Sequence, residues 1–276
     1  MEAFMLTEHS FDTGEIVINF AEGDTAGPPL VMLHGSTLHW QTFDEFIPTL
    51  EQSWHIYACD LRGHGKSGRA ISGYRFADFV PDTIAFIERY IRQPTLLLGF
   101  STGAMVTLGV AARLPDLIRG IVLLDPPLMT RNASIRTTEP YSRFTWVSDT
   151  LASTPTFEEV VARRKEREPE EQEIDAQNAA KMILGIDPES LAYTLNDRTF
   201  ENFDLEQVLA QVVCPALLLR GEPELGGLVR DNDVAFLEAH IPQITTIQIG
   251  DVGHGIIWGP PGKRTLEHVI RFLNSV

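Results

Sequence analysis

The sequence predicts an α/β fold with a mostly parallel central sheet that helices cover on both faces. The first observation is a set of short, continuous apolar runs at 30–33, 95–98, 120–124 and 216–219, typical of strands buried on both sides. The second is that stretches with helical spacing alternate with these runs. The third is that this alternation stops after residue 127 and returns near residue 206, which predicts a helical insertion.

The elements of the first half can be justified in order. Alternating apolar and polar residues around 12–15 predict a β-hairpin, and strands are predicted at 30–33 and 54–59. Apolar residues over 40–50 and over 76–91 have the spacing of one helix face. The strands at 95–98 and 120–124 come next, and Pro126 and Pro127 end the second of them.

The loop 60–68 contains two patterns that resemble nucleotide sites. Gly63, Gly65 and Gly68 match G-x-G-x-x-G, but more loop follows where a dinucleotide site needs a helix. Gly65-Lys66-Ser67 resembles the end of a phosphate-binding loop, but Asp60 stands where that motif needs glycine. We therefore expect no nucleotide cofactor.

Ser101 is the predicted nucleophile. The segment Gly99-Phe100-Ser101-Thr102-Gly103 follows an apolar strand and precedes a helical stretch at 104–113. This G-x-S-x-G pattern in a strand–turn–helix context is typical of a nucleophile elbow, a tight and strained turn whose flanking residues must be small.

The insertion segment, residues 128–205, is expected to form a helical cap, and residues 1–127 and 206–276 to form the α/β core. Its run of acidic and basic residues between 158 and 175 is expected to be a solvated helix surface, and Pro169 predicts two helices there. Its apolar side chains are available to line a pocket from above: Met129, Phe144, Trp146, Phe157, Met182, Ile183 and Leu184.

His254 is the predicted base. It lies in the glycine-rich loop 250–255, between the last predicted strand at 244–249 and the last predicted helix at 266–273. It therefore follows Ser101 late in the chain, as the order Ser, acid, His requires. Ligands of parallel sheets bind at the carboxyl ends of the strands. Each candidate residue is placed at such an end.

Composition excludes some classes of partner. The formal net charge of −16 disfavours nucleic acid and anionic membranes. Two cysteines do not make a disulfide framework, and neither a signal-peptide pattern nor a membrane-length apolar run is present. We expect a cytoplasmic protein with a small-molecule substrate; the sequence does not indicate its oligomeric state.

These motifs together resemble the α/β-hydrolase superfamily, in its capped, small-esterase-like or lactonase-like branch. The resemblance covers nearly the whole chain and depends on His34-Gly35-Ser36, Asp60-x-Arg62-Gly63-His64-Gly65-x-Ser67, the Ser101 elbow and Gly253-His254-Gly255. It implies an oxyanion hole formed by the backbone N–H groups of Ser36 and Thr102. It also implies that His34 braces its loop.

The resemblance leaves two candidates for the triad acid. Most of the family places it after the strand that follows the cap, which here corresponds to Glu224. A minority places it at the tip of the strand before the cap, which corresponds to Asp125. Asp125 is favoured because it has the usual side-chain length and a rigid strand end, with Glu222 and Asp251 as weaker candidates.

The predicted reaction is hydrolysis of small to medium, largely apolar carboxylic esters or lactones through an acyl-enzyme on Ser101. A serine at the elbow argues against haloalkane dehalogenase and epoxide hydrolase chemistry, which the family performs with aspartate. Alternatives are C–C bond hydrolysis or perhydrolysis on the same triad, or a non-catalytic ligand-binding protein. No cofactor or metal is expected, because the sequence has neither an H-E-x-x-H motif nor a Cys/His cluster.

Overall fold

The computed structural model describes residues 6–276. Its strands form one eight-stranded sheet in the order β1-β2-β4-β3-β5-β6-β7-β8. The strands are β1 (Thr7–Asp12), β2 (Val17–Glu22), β3 (Pro29–Leu33), β4 (His55–Cys59), β5 (Thr95–Phe100), β6 (Ile118–Leu124), β7 (Ala216–Arg220) and β8 (Ile244–Gln248).

The sheet is parallel except at one edge. β1 and β2 form the predicted antiparallel hairpin, and β2 pairs antiparallel with β4. All pairs from β4 through β3, β5, β6 and β7 to β8 are parallel. The carboxyl ends of six strands therefore lie along one edge of the sheet, and the predicted mostly parallel fold is confirmed.

Helices cover both faces of this sheet. No helix within residues 6–276 combines the length and the apolar character needed to cross a membrane. The α-helices are α1 (Ile47–Leu50), α2 (Phe76–Phe86), α3 (Thr102–Arg113), α4 (Tyr141–Ala152), α5 (Phe157–Arg167), α6 (Glu173–Leu184), α7 (Pro188–Leu195), α8 (Leu205–Leu209), α9 (Asp231–His240) and α10 (Gly259–Leu273).

The central strands are buried on both faces because their alternate side chains enter different cores. Val31 and Leu33 of β3 join a core with α2, α3, α8 and α9. Leu30 and Met32 join a second core with α1 and α10. This two-sided burial explains why these strands are continuous apolar runs instead of alternating patterns.

Prolines account for two departures from the predicted helices. The helix expected over 40–50 is a 3₁₀ turn, Trp40–Phe43, followed by the short α1. Because Pro48 has no N–H, it cannot donate to the carbonyl of residue 44, as one continuous helix would require. It is tolerated in the first turn of α1. The last helix begins at Gly259, well before the predicted 266, because Pro260 and Pro261 also fit a first turn.

The insertion segment lies between β6 and β7 and contains α4 to α7. These helices have an apolar cluster of their own, which includes Phe144, Val147, Val160 and Ile183. α5 ends at Arg167 and α6 begins at Glu173, so the predicted break at Pro169 is confirmed.

The glycine-rich loop after β4 folds around the carboxylate of Asp60. One carboxylate oxygen accepts the backbone N–H of Trp40, and the other accepts from Lys66 N and Asn19 Nδ2. A Cβ on Gly65 would lie 2.2 Å from Asp60 Oδ2. Gly65 therefore leaves room for the Asp60 carboxylate. This structural need for glycine accounts for the resemblance of Gly65-Lys66-Ser67 to a phosphate-binding loop.

Arg62 fastens the same loop to α2. Its guanidinium is buried and donates to both carboxylate oxygens of Asp82, at 2.7 and 2.9 Å. It also donates to Gly73 O at 3.1 Å and to Glu15 Oε1 at 3.2 Å. Removing one partner of such a pair leaves an uncompensated charge in the interior.

We expect Arg62→Met to lower the free energy of unfolding by about 3–5 kcal/mol, because Asp82 is then left buried without its cation. Urea denaturation followed by circular dichroism measures the change. The control is Arg69→Met on the same loop, where the side chain is exposed; it should change the free energy by less than about 0.5 kcal/mol. Equal effects of the two substitutions would contradict the structural role of Arg62.

Candidate active site

Ser101 lies at the turn between β5 and α3. Its backbone has φ 53° and ψ −117°, a conformation that is strained for any residue with a side chain. A Cβ on Gly99 would lie 2.3 Å from Gly103 O, and a Cβ on Gly103 would lie 2.0 Å from Leu33 O. The turn can therefore form only with glycine at 99 and 103, as the sequence pattern predicts.

The loop after β3 lies against this turn. A Cβ on Gly35 would come within 2.9 Å of the Ser101 Cβ, so glycine is also required here. The hydroxyls of Ser36 and Thr102 are hydrogen-bonded at 2.7 Å. Among the described residues, the backbone N–H groups of Ser36 and Thr102 have no intramolecular acceptor and remain available to a ligand.

His34 joins two strand-end loops. Its Nε2 accepts the backbone N–H of Leu61 at 3.0 Å, and its Nδ1 lies 2.8 Å from Gly35 O. This pattern requires a neutral ring with the proton on Nδ1. Burial lowers the pKa of His34 well below its usual value, which agrees with that neutral form. His34 therefore braces the loop, as the resemblance implies.

His254 and Asp125 are in direct contact. His254 Nδ1 lies 2.7 Å from Asp125 Oδ2, although 129 residues separate them in sequence. Asp125 follows β6 with a φ of 42° and is fully buried. Its carboxylate also accepts the backbone N–H groups of Gly221 at 3.1 Å and Leu228 at 3.0 Å. These contacts fix the position of the carboxylate.

The other carboxylates lie elsewhere. Glu224 is exposed in the 3₁₀ turn Pro223–Leu225, and its side chain has no hydrogen-bond partner among the described residues. Glu222 accepts the backbone N–H of Asp251 at 2.8 Å, so it serves the turn before His254. Of the four carboxylates considered, Asp125 is the one that the structure brings to His254.

The ring of His254 is also held by an aromatic contact. It stacks on Phe100, with ring centroids 4.8 Å apart and an angle of 23° between the planes. Trp258 packs edge-on against the same phenyl ring at 5.5 Å. No hydrogen bond joins Ser101 Oγ to His254 in the described structure, but both residues line one cavity. Such bonds often form only when substrate is bound.

That cavity has a volume of about 320 Å³ and includes Ser36, Leu38 and Trp258 from the core. The insertion segment contributes Glu139, Pro140, Arg143 and Phe144. A larger cavity of about 920 Å³ adjoins it and shares Leu38, Arg143 and Trp258.

The predicted lining residues divide into two groups. Phe144 lines the Ser101 cavity, and Trp146, Met182 and Ile183 line the larger one; the remaining three, Met129, Phe157 and Leu184, line neither. Sequence reasoning missed Arg143, because nothing distinguishes it from the other basic residues of this segment. It also missed Trp258, which stands just before two prolines after the final loop.

No group of three or more His, Cys, Asp or Glu side chains within residues 6–276 is arranged to hold a metal ion. The polar groups that face the Ser101 cavity are hydroxyls, backbone N–H groups, one imidazole, one carboxylate and one guanidinium. This set can bind a polarised carbonyl group and transfer a proton.

Comparison with known proteins places the chain in a family. The family model of the alpha/beta hydrolase fold matches residues 28–181. The 2-(acetamidomethylene)succinate hydrolase of Mesorhizobium japonicum is 33% identical over 114 residues, which is 41% of each chain. The pimeloyl-[acyl-carrier protein] methyl ester esterase of Nitrosomonas europaea is 23% identical over 231 residues, 83% of this chain and 89% of the relative. The match to the first of these relatives thus spans less than half of its length.

Solved structures share the fold at full length. The structure of an E-2-(acetamidomethylene)succinate hydrolase has a TM-score of 0.73 at 22% identity and covers 98% of this chain and 99% of its own. That of the N-acyl homoserine lactonase AidH has a TM-score of 0.75 at 18% identity, covering 98% and 97%. The thermophilic esterase of Thermogutta terrifontis has a TM-score of 0.71 at 21% identity and covers 98% of each chain. Since the family model spans more than half of the 276 residues, the chain belongs to the α/β-hydrolase family.

Proposed function

We propose that the chain is a serine hydrolase that cleaves small to medium carboxylic esters or lactones, with Ser101 as nucleophile, His254 as base and Asp125 as the acid. One observation carries the proposal. The imidazole of His254 is hydrogen-bonded to the buried carboxylate of Asp125 at 2.7 Å and lines the same cavity as Ser101 in its strained turn.

The hydrogen bond to Asp125 determines which ring nitrogen acts as the base. Asp125 Oδ2 also accepts from a backbone N–H, so it acts as an acceptor and the proton lies on His254 Nδ1. Nε2 is then free to take the proton of Ser101 as its Oγ attacks the ester carbonyl. The carboxylate stabilises the imidazolium that forms.

The backbone N–H groups of Ser36 and Thr102 form the proposed oxyanion hole. Neither donates to an acceptor within residues 6–276, and they lie on the two segments that Gly35 allows to come into contact. Donors positioned in advance stabilise the charge that develops on the carbonyl oxygen, each contributing about 3–4 kcal/mol in measured cases. The alcohol leaves with a proton from His254, and a water that His254 activates then hydrolyses the acyl-enzyme.

Two comparisons support ester or lactone substrates. The relative from Nitrosomonas europaea, which aligns with most of this chain, is a methyl ester esterase. One protein of the same fold is an N-acyl homoserine lactonase. We infer that the insertion segment forms the cap of this site, since four of its residues line the Ser101 cavity.

We expect Ser101→Ala to reduce kcat for p-nitrophenyl butyrate by at least about 10⁴-fold, because the nucleophile is absent while the fold is kept. The same substitution should abolish labelling by a fluorophosphonate probe. Ser275→Ala, which removes an exposed hydroxyl near the carboxyl terminus, is the control and should keep full activity. Retained hydrolysis in Ser101→Ala, or failure of the probe to label the wild type, would contradict the proposal.

The two candidate acids can be separated by Asp125→Asn and Glu224→Gln. Asparagine at 125 would stabilise the wrong tautomer of His254, so we expect kcat to fall by about 10³- to 10⁴-fold. Glutamine at 224 should change kcat less than about twofold, because Glu224 is exposed and away from the imidazole. Steady-state kinetics on the same ester measures both. The reverse ranking would move the acid to Glu224.

A further inference from the structure

Arg143 stands at the junction of the two cavities. It belongs to α4 and lines both the Ser101 cavity and the larger cavity beside it. The two other residues shared by the cavities, Leu38 and Trp258, are apolar. Arg143 is therefore the one cationic side chain common to both spaces among the described residues.

The guanidinium of Arg143 has no ion pair and no hydrogen bond to any described residue, although it is half-buried. Two other cations that line the larger cavity are matched with carboxylates, and a third, Lys181, is exposed. Arg164 donates to both oxygens of Glu171, at 2.7 and 2.8 Å, and Lys66 pairs with Glu8. Of the two arginines that line the larger cavity, Arg164 is therefore paired and Arg143 is not, within the described residues.

Burial, helped by the charges of Arg164 and Arg167, lowers the pKa of Arg143 to about 10. The side chain thus remains cationic at neutral pH, although no described residue forms an ion pair with it. A charge removed from water without a partner is costly, and a carboxylate that enters the site would offset that cost.

Glu139 is the carboxylate nearest to this position on the same wall. It raises the pKa of Arg143 through space, but no oxygen of Glu139 comes within 4.0 Å of the guanidinium, and the residue is exposed. Asp125, the other carboxylate at the site, is fully buried and holds His254 and two backbone N–H groups. Neither carboxylate neutralises Arg143.

We infer that Arg143 binds a carboxylate of the substrate, so that the preferred substrates are esters or lactones whose acyl part carries a second, free carboxylate. The inference rests on the proposed hydrolase function and refines its substrate class: Leu38, Phe144 and Trp258 contact the apolar carbons, and the guanidinium binds the charged end. Planar guanidinium groups suit this task because they can donate two parallel hydrogen bonds to one carboxylate.

The net charge of the chain makes a local cation necessary for such a preference. A formal charge of −16 repels anions at long range, so a preference for an anionic substrate must come from a local cation. A single cation can provide it, because a site built to bind a polar group of the substrate discriminates strongly against an analogue that lacks this group.

The test compares monoethyl glutarate with ethyl 5-methylhexanoate, in which an isopropyl group replaces the carboxylate at the same chain length. We expect the wild type to favour the half-ester by at least about tenfold in kcat/KM, and Arg143→Met to remove this preference. Arg143→Lys should retain part of it, because it keeps the charge without the planar fork. A pH-stat assay of ester hydrolysis measures all of these rates.

Two matched substitutions control for charge. Arg136→Met removes a cation seven residues earlier, outside both cavities, and should leave the ratio of the two substrates unchanged. Glu139→Gln removes the anion that shares the wall and should raise the ratio or leave it unchanged. A wild type that prefers the isopropyl ester, or an Arg143→Met variant with the wild-type ratio, would overturn the inference. Should Arg143→Met fail to fold, an Arg143→Lys variant with the wild-type ratio of the two substrates would overturn the inference.

A binding measurement separates this inference from the proposed function. Calorimetry on Ser101→Ala is expected to detect monoethyl glutarate, and adding Arg143→Met should weaken that binding by at least about tenfold. If neither ester is hydrolysed by the wild type, the proposed hydrolase function fails, but Arg143-dependent binding of the half-ester still supports the carboxylate site. Equal binding with and without Arg143 would overturn it.

Discussion

Three backbone segments touch where the sheet ends, and the site depends on that contact. The elbow turn, the end of β3 and the loop after it come so close that a single methyl group at Gly35, Gly99 or Gly103 would collide with a neighbour. The contact places Ser101 against the loop whose Ser36 N–H has no acceptor among the described residues. The surrounding strands and α3 are almost wholly buried, so packing maintains a turn that would otherwise relax.

The polar groups of the site are held by contacts of different strength. Asp125 is surrounded by donors and closed off from solvent, which makes it a fixed reference for the ring of His254. Arg143 has no hydrogen-bond or ion-pair partner within residues 6–276 and lines the cavity. A fixed carboxylate suits a group that must orient a base for every turnover, whereas an unsatisfied guanidinium suits a group that exchanges ligands.

Local sequence patterns predicted the fold and the turns that carry Ser101 and His254, because these depend on neighbours in the chain. Apolar runs identify strands buried on both faces, and the glycines of the elbow report a turn that can be recognised within five residues. The proposed acid could not be chosen from the sequence, since the contact between His254 and Asp125 spans 129 residues and depends on the path of the loop after β7.

The proposed role of Arg143 in binding a carboxylate also could not be predicted from the sequence. Helical spacing can indicate which face of α4 is buried, but it does not show that Arg164 is paired and Arg143 is not. The short helix before β4 differs from its prediction for a simpler reason. The apolar spacing over 40–50 predicts one helix, but the missing N–H of Pro48 prevents a continuous one.

The loop after β7 limits where the proposed acid can lie in this chain. It carries Glu224, yet its own backbone N–H groups at Gly221 and Leu228 point at Asp125. Transferring the acid to this loop would therefore leave two buried donors facing an empty space, while the new carboxylate would need donors that the loop does not provide. In this chain, moving the proposed acid to Glu224 would therefore require rebuilding the loop instead of exchanging one side chain.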